Sequence, residues 1–102
     1  MARVGIELRV KLLKEQALAR AQLADDRAKL ADFEGRVRET EDLWGQPFQR
    51  GRAIIQRNRA TIERRERIYG LLDQAAEAYD TGDEERAMAL YREAERTSEV
   101  YQ

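Results

Sequence analysis

Proton transfer, metal binding and nucleophilic attack depend on a few side-chain types, and this chain lacks the two most versatile. It has no histidine and no cysteine among its 102 residues. Without imidazole there is no ordinary general base near neutral pH, no Ser-His or Cys-His pair and no common zinc or iron ligand. Without thiols there are no disulfides and no thiolate chemistry, which leaves the redox compartment open. The densest carboxylate group is Asp80, Asp83, Glu84 and Glu85. It could meet a cation, but its spacing is not that of a calcium loop, and the positive end of a helix dipole accounts for it better. Asp25 with Asp26, or Glu41 with Asp42, carries no acid–base signal on so charged a surface. The six glycines are scattered and cradle no phosphate. The expectation is a protein that is not an enzyme, with no catalytic residues, no cofactor, no metal and no small-molecule substrate.

Arginine is the other abundant chemistry. Seven arginines (Arg50, Arg52, Arg57, Arg59, Arg64, Arg65, Arg67) stand against Glu63 and Glu66 in the middle of the chain, whereas from Asp73 onward nine carboxylates face Arg86, Arg92 and Arg96. Net charge is only −1, so the imbalance is internal. The acidic tail is expected to neutralise the basic middle, within one molecule or between two. Arginines spaced along a helix can also contact nucleic-acid phosphates, though Glu63 and Glu66 interrupt this run.

These side chains must be positioned by helices, because turn signals occur at two places only and the rest is rich in Ala, Leu, Arg, Glu and Gln. At Trp44-Gly45-Gln46-Pro47, Gly45 can end one helix and Pro47 fits the first turn of the next. At Thr81-Gly82-Asp83-Glu84, Gly82 permits positive φ, and both Asp83 as N-cap and a Thr81–Glu84 capping box remain open. The reading is one all-α domain over 1–102: helix 1 over about 6–43, a turn at 44–47, helix 2 over about 48–80, a turn at 81–83, and helix 3 over about 83–101. Helices 1 and 2 form a long antiparallel, coiled-coil-like hairpin, and helix 3 completes a three-helix bundle. Residues 4–12 alternate apolar and polar, the period of a strand, so the first twelve residues are helix or strand, with helix favoured after residue 6.

Seven-residue spacing picks out the core. Leu23, Leu30, Val37 and Trp44 repeat on helix 1 with Phe33 between; Ile55, Ile62 and Tyr69 repeat on helix 2, with Leu72 and Tyr79 at the half-steps. Gly51, Asn58 and Arg65 also fall on those half-steps, and for Asn58 and Arg65 a partly exposed edge is a simpler explanation than burial. Trp44 is expected to plug the end of the helical pair. The earlier half of helix 1 offers Val10, Leu13, Ala17, Ala21, Ala24, Ala28 and Ala31, small enough to admit a neighbouring helix closely. Acid-then-base pairs (Glu7 to Lys11, Asp25 to Lys29, Asp32 to Arg36, Glu34 to Arg38) suit a solvent face. Helix 3 should bury Ala87, Leu90, Tyr91, Ala94 and Val100 against the end of helix 2.

Small residues at Ala75 and Ala78, a turn at Gly82-Asp83, and the ladder Ala87, Tyr91 and Ala94 together make residues 71–95 resemble a single tetratricopeptide-type helical hairpin. Leu71-Leu72 stands where that family has Trp-Leu-Gly, and the chain holds no second copy. The resemblance implies protein binding, without the groove of a full array. The same pattern occurs in small three-helix trafficking modules and alanine-rich hairpins. The whole chain also resembles the small secreted helical hairpins of type VII secretion systems, through Trp44-Gly45 at the turn and Tyr91-Arg-Glu-Ala-Glu95 or Tyr79-Asp-Thr-Gly-Asp83 near the end. The turn lacks the residue that family places between Trp and Gly.

No apolar run reaches the roughly 20 residues that span a bilayer, and charges interrupt the first ten residues where a signal peptide would be apolar. A soluble, cytoplasmic protein with no membrane partner is expected. The small core of thin, alanine-rich helices predicts burial of an extra stripe against a second copy or a partner helix. The functional expectation is therefore a protein–protein interaction or assembly module that forms homo-oligomers. A nucleic-acid binder using residues 50–67 and a secreted type VII-like hairpin are the alternatives. The contact groups expected are Arg57, Arg59, Arg64, Tyr79, Tyr91 and Tyr101, since interfaces favour tyrosine and arginine.

Overall fold

In a computed structural model the chain is described over residues 2–100, with side chains over residues 5–98. It forms three helices, α1 (Ala2–Trp44), α2 (Gln49–Asp80) and α3 (Glu84–Val100). Helix α1 begins at Ala2, so the alternation in the first dozen residues does not make a strand. At about 1.5 Å per residue its 43 residues account for the longest dimension of the molecule, 64 Å. Helices α1 and α3 both pack along α2 and meet each other over a short stretch at the base.

The turns show why the helices stop. Gly45 adopts φ 67° and its N–H donates to the Glu41 carbonyl at 2.8 Å, a left-handed stop after α1. Pro47 lies one residue ahead of the α2 cap rather than in the first turn. That cap, Phe48, has no capping side chain of its own; its N–H donates instead to Glu41 Oε2 at 2.8 Å. After α2, the Asp83 N–H reaches the Ala78 carbonyl at 2.8 Å, the Gly82 N–H reaches Tyr79, and Gly82 sits at φ 89°. This is a Schellman stop, which needs glycine at the left-handed position. Asp83 is the cap of α3, its Oδ1 accepting the Arg86 N–H at 3.0 Å.

The core divides into two parts. At the base, where all three helices meet, Leu8 and Leu12 of α1 pack with Leu72, Ala75 and Ala78 of α2 and Ala87 and Ala94 of α3. Ala75 and Ala87 have no exposed surface, which is how three helix backbones approach closely. Leu90 and Tyr91 are half-buried against this cluster, as is Tyr79. Toward the tip only two helices remain, and Leu23, Val37, Ile55 and Ile62 are buried between them with Leu30 half-buried. Gly51 is buried there because a Cβ at that position would stand 2.8 Å from Val37 Cγ2.

Three expectations about packing need correction. Trp44 does not plug the hairpin: it is 57% exposed, its ring stacked on Phe48 with centroids 5.0 Å apart. The seven-residue series arrives at Trp44 as α1 ends, where α2 has no residue left to cover it. Val10, Leu13 and the alanines at 17, 21, 24, 28 and 31 are exposed rather than packed in the chain. The inward face of α1 instead continues the Leu23–Val37 stripe backward through Ala19, Leu12 and Leu8. Tyr69 is only half-buried at the edge of the seam, where Arg20 lies over its ring and donates to its hydroxyl.

Candidate interaction surface

Along one margin of the hairpin seam, polar side chains reach across from helix to helix. On α2, positions 52, 59, 66, 73 and 80 hold Arg, Arg, Glu, Asp and Asp, one every seven residues. Each meets a complementary group on α1: Arg52 with Glu41 at 2.6 Å, Arg59 with Glu34 at 3.0 Å, Glu66 with Arg27 at 2.9 Å, Asp73 with the Gln16 amide at 2.9 Å, and Asp80 with Arg9. The sign changes along the row, so sliding the hairpin by seven residues sets one like pair in it, Glu66 against Glu34 or Arg59 against Arg27, while Arg59 would meet Glu41, or Arg52 would meet Glu34, in the same slips. Exposed ion pairs contribute at most about 1 kcal/mol each, and their order favours the observed antiparallel register over either slip by the like pair that a slip creates. Arg65 also reaches Asp26 across the helix pair, and Asn58 is exposed, so of the polar half-step residues Arg65 alone is drawn into the seam.

Arg52, with help from the Phe48 N–H, holds the Glu41 carboxyl below its ordinary range, and Glu41 in turn holds Arg52 above its own. This carboxylate therefore ties the end of α1, the start of α2 and the turn together. Of the expected solvent-face pairs, Asp25 with Lys29 and Asp32 with Arg36 form at 2.9 and 3.0 Å, whereas Glu34 turns to Arg59.

The basic segment is thus engaged differently from the expectation. Arg52, Arg59 and Arg65 pair with carboxylates of α1, not with the acidic tail. The reason is reach: α3 has 17 residues, about 26 Å, and lies along the C-terminal half of α2. Arg64 is half-buried, donating to Thr61 Oγ1 at 3.4 Å. Arg50 and Arg57 are exposed and make no ion pair among the described residues. Of the expected tyrosine contacts, Tyr79 lies under Arg9 at the base. Tyr91 is half-buried, and burial, reinforced by Glu95, pushes its phenol pKa up. Tyr101 and the Val100 side chain lie outside the described residues.

What the chain leaves open is the outer face of α1. Ile6, Val10 and Leu13 are 61%, 45% and 54% exposed. At 100° per residue they share one face with Ala17, Ala21, Ala24, Ala28 and Ala31, opposite the inward stripe. Among the described residues a second groove is lined by Leu18, Ala19, Ile68 and Leu72 with Arg64 and Arg65, beside Ser98 of α3. Among the described residues no group of three or more histidines, cysteines or carboxylates could hold a metal ion, and no helix is long and apolar enough to cross a membrane. Comparison with protein-family models, curated proteins and solved structures yields no match, so neither resemblance in the sequence gains support from relatives.

Proposed function

We propose that this protein is a non-catalytic interaction or assembly module, acting in the cytoplasm, whose docking surface is the outer face of α1. The observation that carries this reading is the exposure of Ile6, Val10 and Leu13 in a single row while Leu8 and Leu12, between them in sequence, are nearly fully buried. A contiguous apolar row opposite the core adds nothing to the fold of the isolated chain, and such rows mark interaction sites. Nucleic-acid binding through residues 50–67 has less support, because Arg52, Arg59 and Arg65 already neutralise carboxylates of the same chain.

The lysines of the chain are Lys11, Lys14 and Lys29, all on α1 and all exposed. Lysine-directed cross-linking with mass spectrometry in a lysate of producing cells therefore reports on this helix. The reading predicts intermolecular cross-links from Lys11 or Lys14 that vanish when Ile6, Val10 and Leu13 are all changed to Gln, with the melting temperature within a few degrees of wild type. Cross-links indifferent to the triple substitution, or none, would refute it.

A further inference from the structure

The outer row of α1 is self-complementary when read backward. From its large end the row runs 6, 10, 13, 17, in steps of four, three and four; from its small end it runs 35, 31, 28, 24, in the same steps. We infer that the occupant of this face is a second copy of the same helix, packed antiparallel about a two-fold axis between residues 20 and 21. This rests on the docking reading above and names its partner.

In that register Ile6 lies opposite Gly35 of the second copy, Val10 opposite Ala31, Leu13 opposite Ala28 and Ala17 opposite Ala24. Every large side chain meets a small one, so the large ends supply apolar area while the small ends let the helices approach, toward the lower limit of the usual 8–10 Å interaxial distance. Space for this exists: the would-be Cβ of Gly35 has nothing within 4 Å. A parallel pairing would instead stack large on large at one end and leave the alanine half thinly packed.

The charges on the solvent margin do not oppose it. Lys14, exposed, comes midway along the neutral Asp25–Lys29 pair of the second copy and Glu7 midway along its neutral Asp32–Arg36 pair, so each faces one opposite and one like charge within about one helical turn. At the axis the two Arg20 residues approach one another, but each is turned aside to Tyr69 of its own chain. The row is about 44 Å long and a helix about 10 Å wide, so each copy contributes on the order of 440 Å², below the ~800 Å² per partner of a standard stable interface. The association is therefore reversible and concentration-dependent.

The absence of cysteine makes the register directly readable. Ala17→Cys and Ala24→Cys proteins, each substituted at an exposed site, are mixed in equal amounts at about 100 μM and mildly oxidised, and the disulfides are identified after digestion. The expected product joins position 17 of one chain to position 24 of the other, at least fivefold over either like-with-like product. In the antiparallel register the like positions are offset by seven residues, about 10 Å along the axis, beyond the roughly 7 Å Cα separation a disulfide tolerates. Predominance of 17-to-17 and 24-to-24 products would overturn the antiparallel pairing. No disulfide, with light scattering giving a monomer at the same concentration, would overturn the second copy as occupant; lysine cross-links to a different protein, lost in the triple Gln variant, would then leave the docking reading standing.

Discussion

Leu12 and Leu13 are neighbours in sequence and opposites in the fold: the first is 2% exposed, the second 54%. The two faces of α1 that they represent are both apolar and both periodic, yet only one is used inside the chain. The inward face carries the larger residues in step with Ile55, Ile62 and Leu72 on α2, and its borders carry the polar groups that match α2 in sign. The outward face has matching spacing but is covered by no helix among the described residues. Amphipathic periodicity therefore identifies a helix and its candidate faces, while residue size and flanking charge pick out the face that α2 covers.

The comparison is broken most forcefully by substituting the two leucines. Leu12→Ala should cost about 2–5 kcal/mol through lost burial and the cavity left behind, whereas Leu13→Ala should stay within about 0.5 kcal/mol at monomeric concentrations; urea unfolding of the two variants measures both. Comparable losses would mean that the outward face also supports the monomer.

Two glycines sharpen the same point on α2. Gly51→Ala forces a Cβ against Val37 Cγ2 and should cost about 1–3 kcal/mol by overpacking the two-helix tip. Gly70→Ala meets nothing within 4 Å and should stabilise α2 by up to about 1 kcal/mol through helix propensity. Opposite shifts in thermal midpoint are the expected result.

At the base, Asp83→Ala removes the cap that accepts the Arg86 N–H and should cost about 1 kcal/mol. Faster amide exchange in the first turn of α3, with the tip unchanged, would locate the effect.

The smallest effect concerns pH. The Glu41 carboxyl is held below its ordinary value of 4.5 by Arg52 and the Phe48 N–H. A carboxyl with a lowered folded-state pKa stabilises the fold above its unfolded value, and that contribution is lost as pH falls through the folded value. Wild type should exceed Glu41→Gln in stability at neutral pH, and the gap should close below about pH 4.5. An acid titration followed by circular dichroism checks this; a gap unchanged down to pH 2 would show that Glu41 does not act through its charge.

Much of the fold was legible because its punctuation is local. Gly45, Gly82 and Asp83 mark the helix ends by residue chemistry alone, and Leu23, Val37, Ile55, Ile62 and Leu72 follow from spacing. Leu8 and Leu12 were harder to see. They sit with Val10 and Leu13 in a stretch where apolar and charged residues alternate, so composition cannot tell which pair faces inward; the phase becomes readable only when carried back from Leu23 through Ala19. Trp44 misled because size favours burial, whereas burial also needs a neighbour, and the hairpin ends there. The arginines misled because sequence shows their excess but not their reach: the tail carboxylates were expected as partners, yet α1 provides them. The outward row was visible as a helical stripe, but its self-complementarity emerges only once α1 is known to be continuous from Ala2 to Trp44.

The most direct test of the account is sedimentation equilibrium of the wild-type protein from about 10 μM to 1 mM beside the Ile6/Val10/Leu13→Gln variant. The account predicts a weight-average mass that climbs from the 11.9 kDa of one chain toward twice that value for wild type and stays flat for the variant. A wild-type mass that remains at one chain throughout, or a variant that climbs equally, would contradict it.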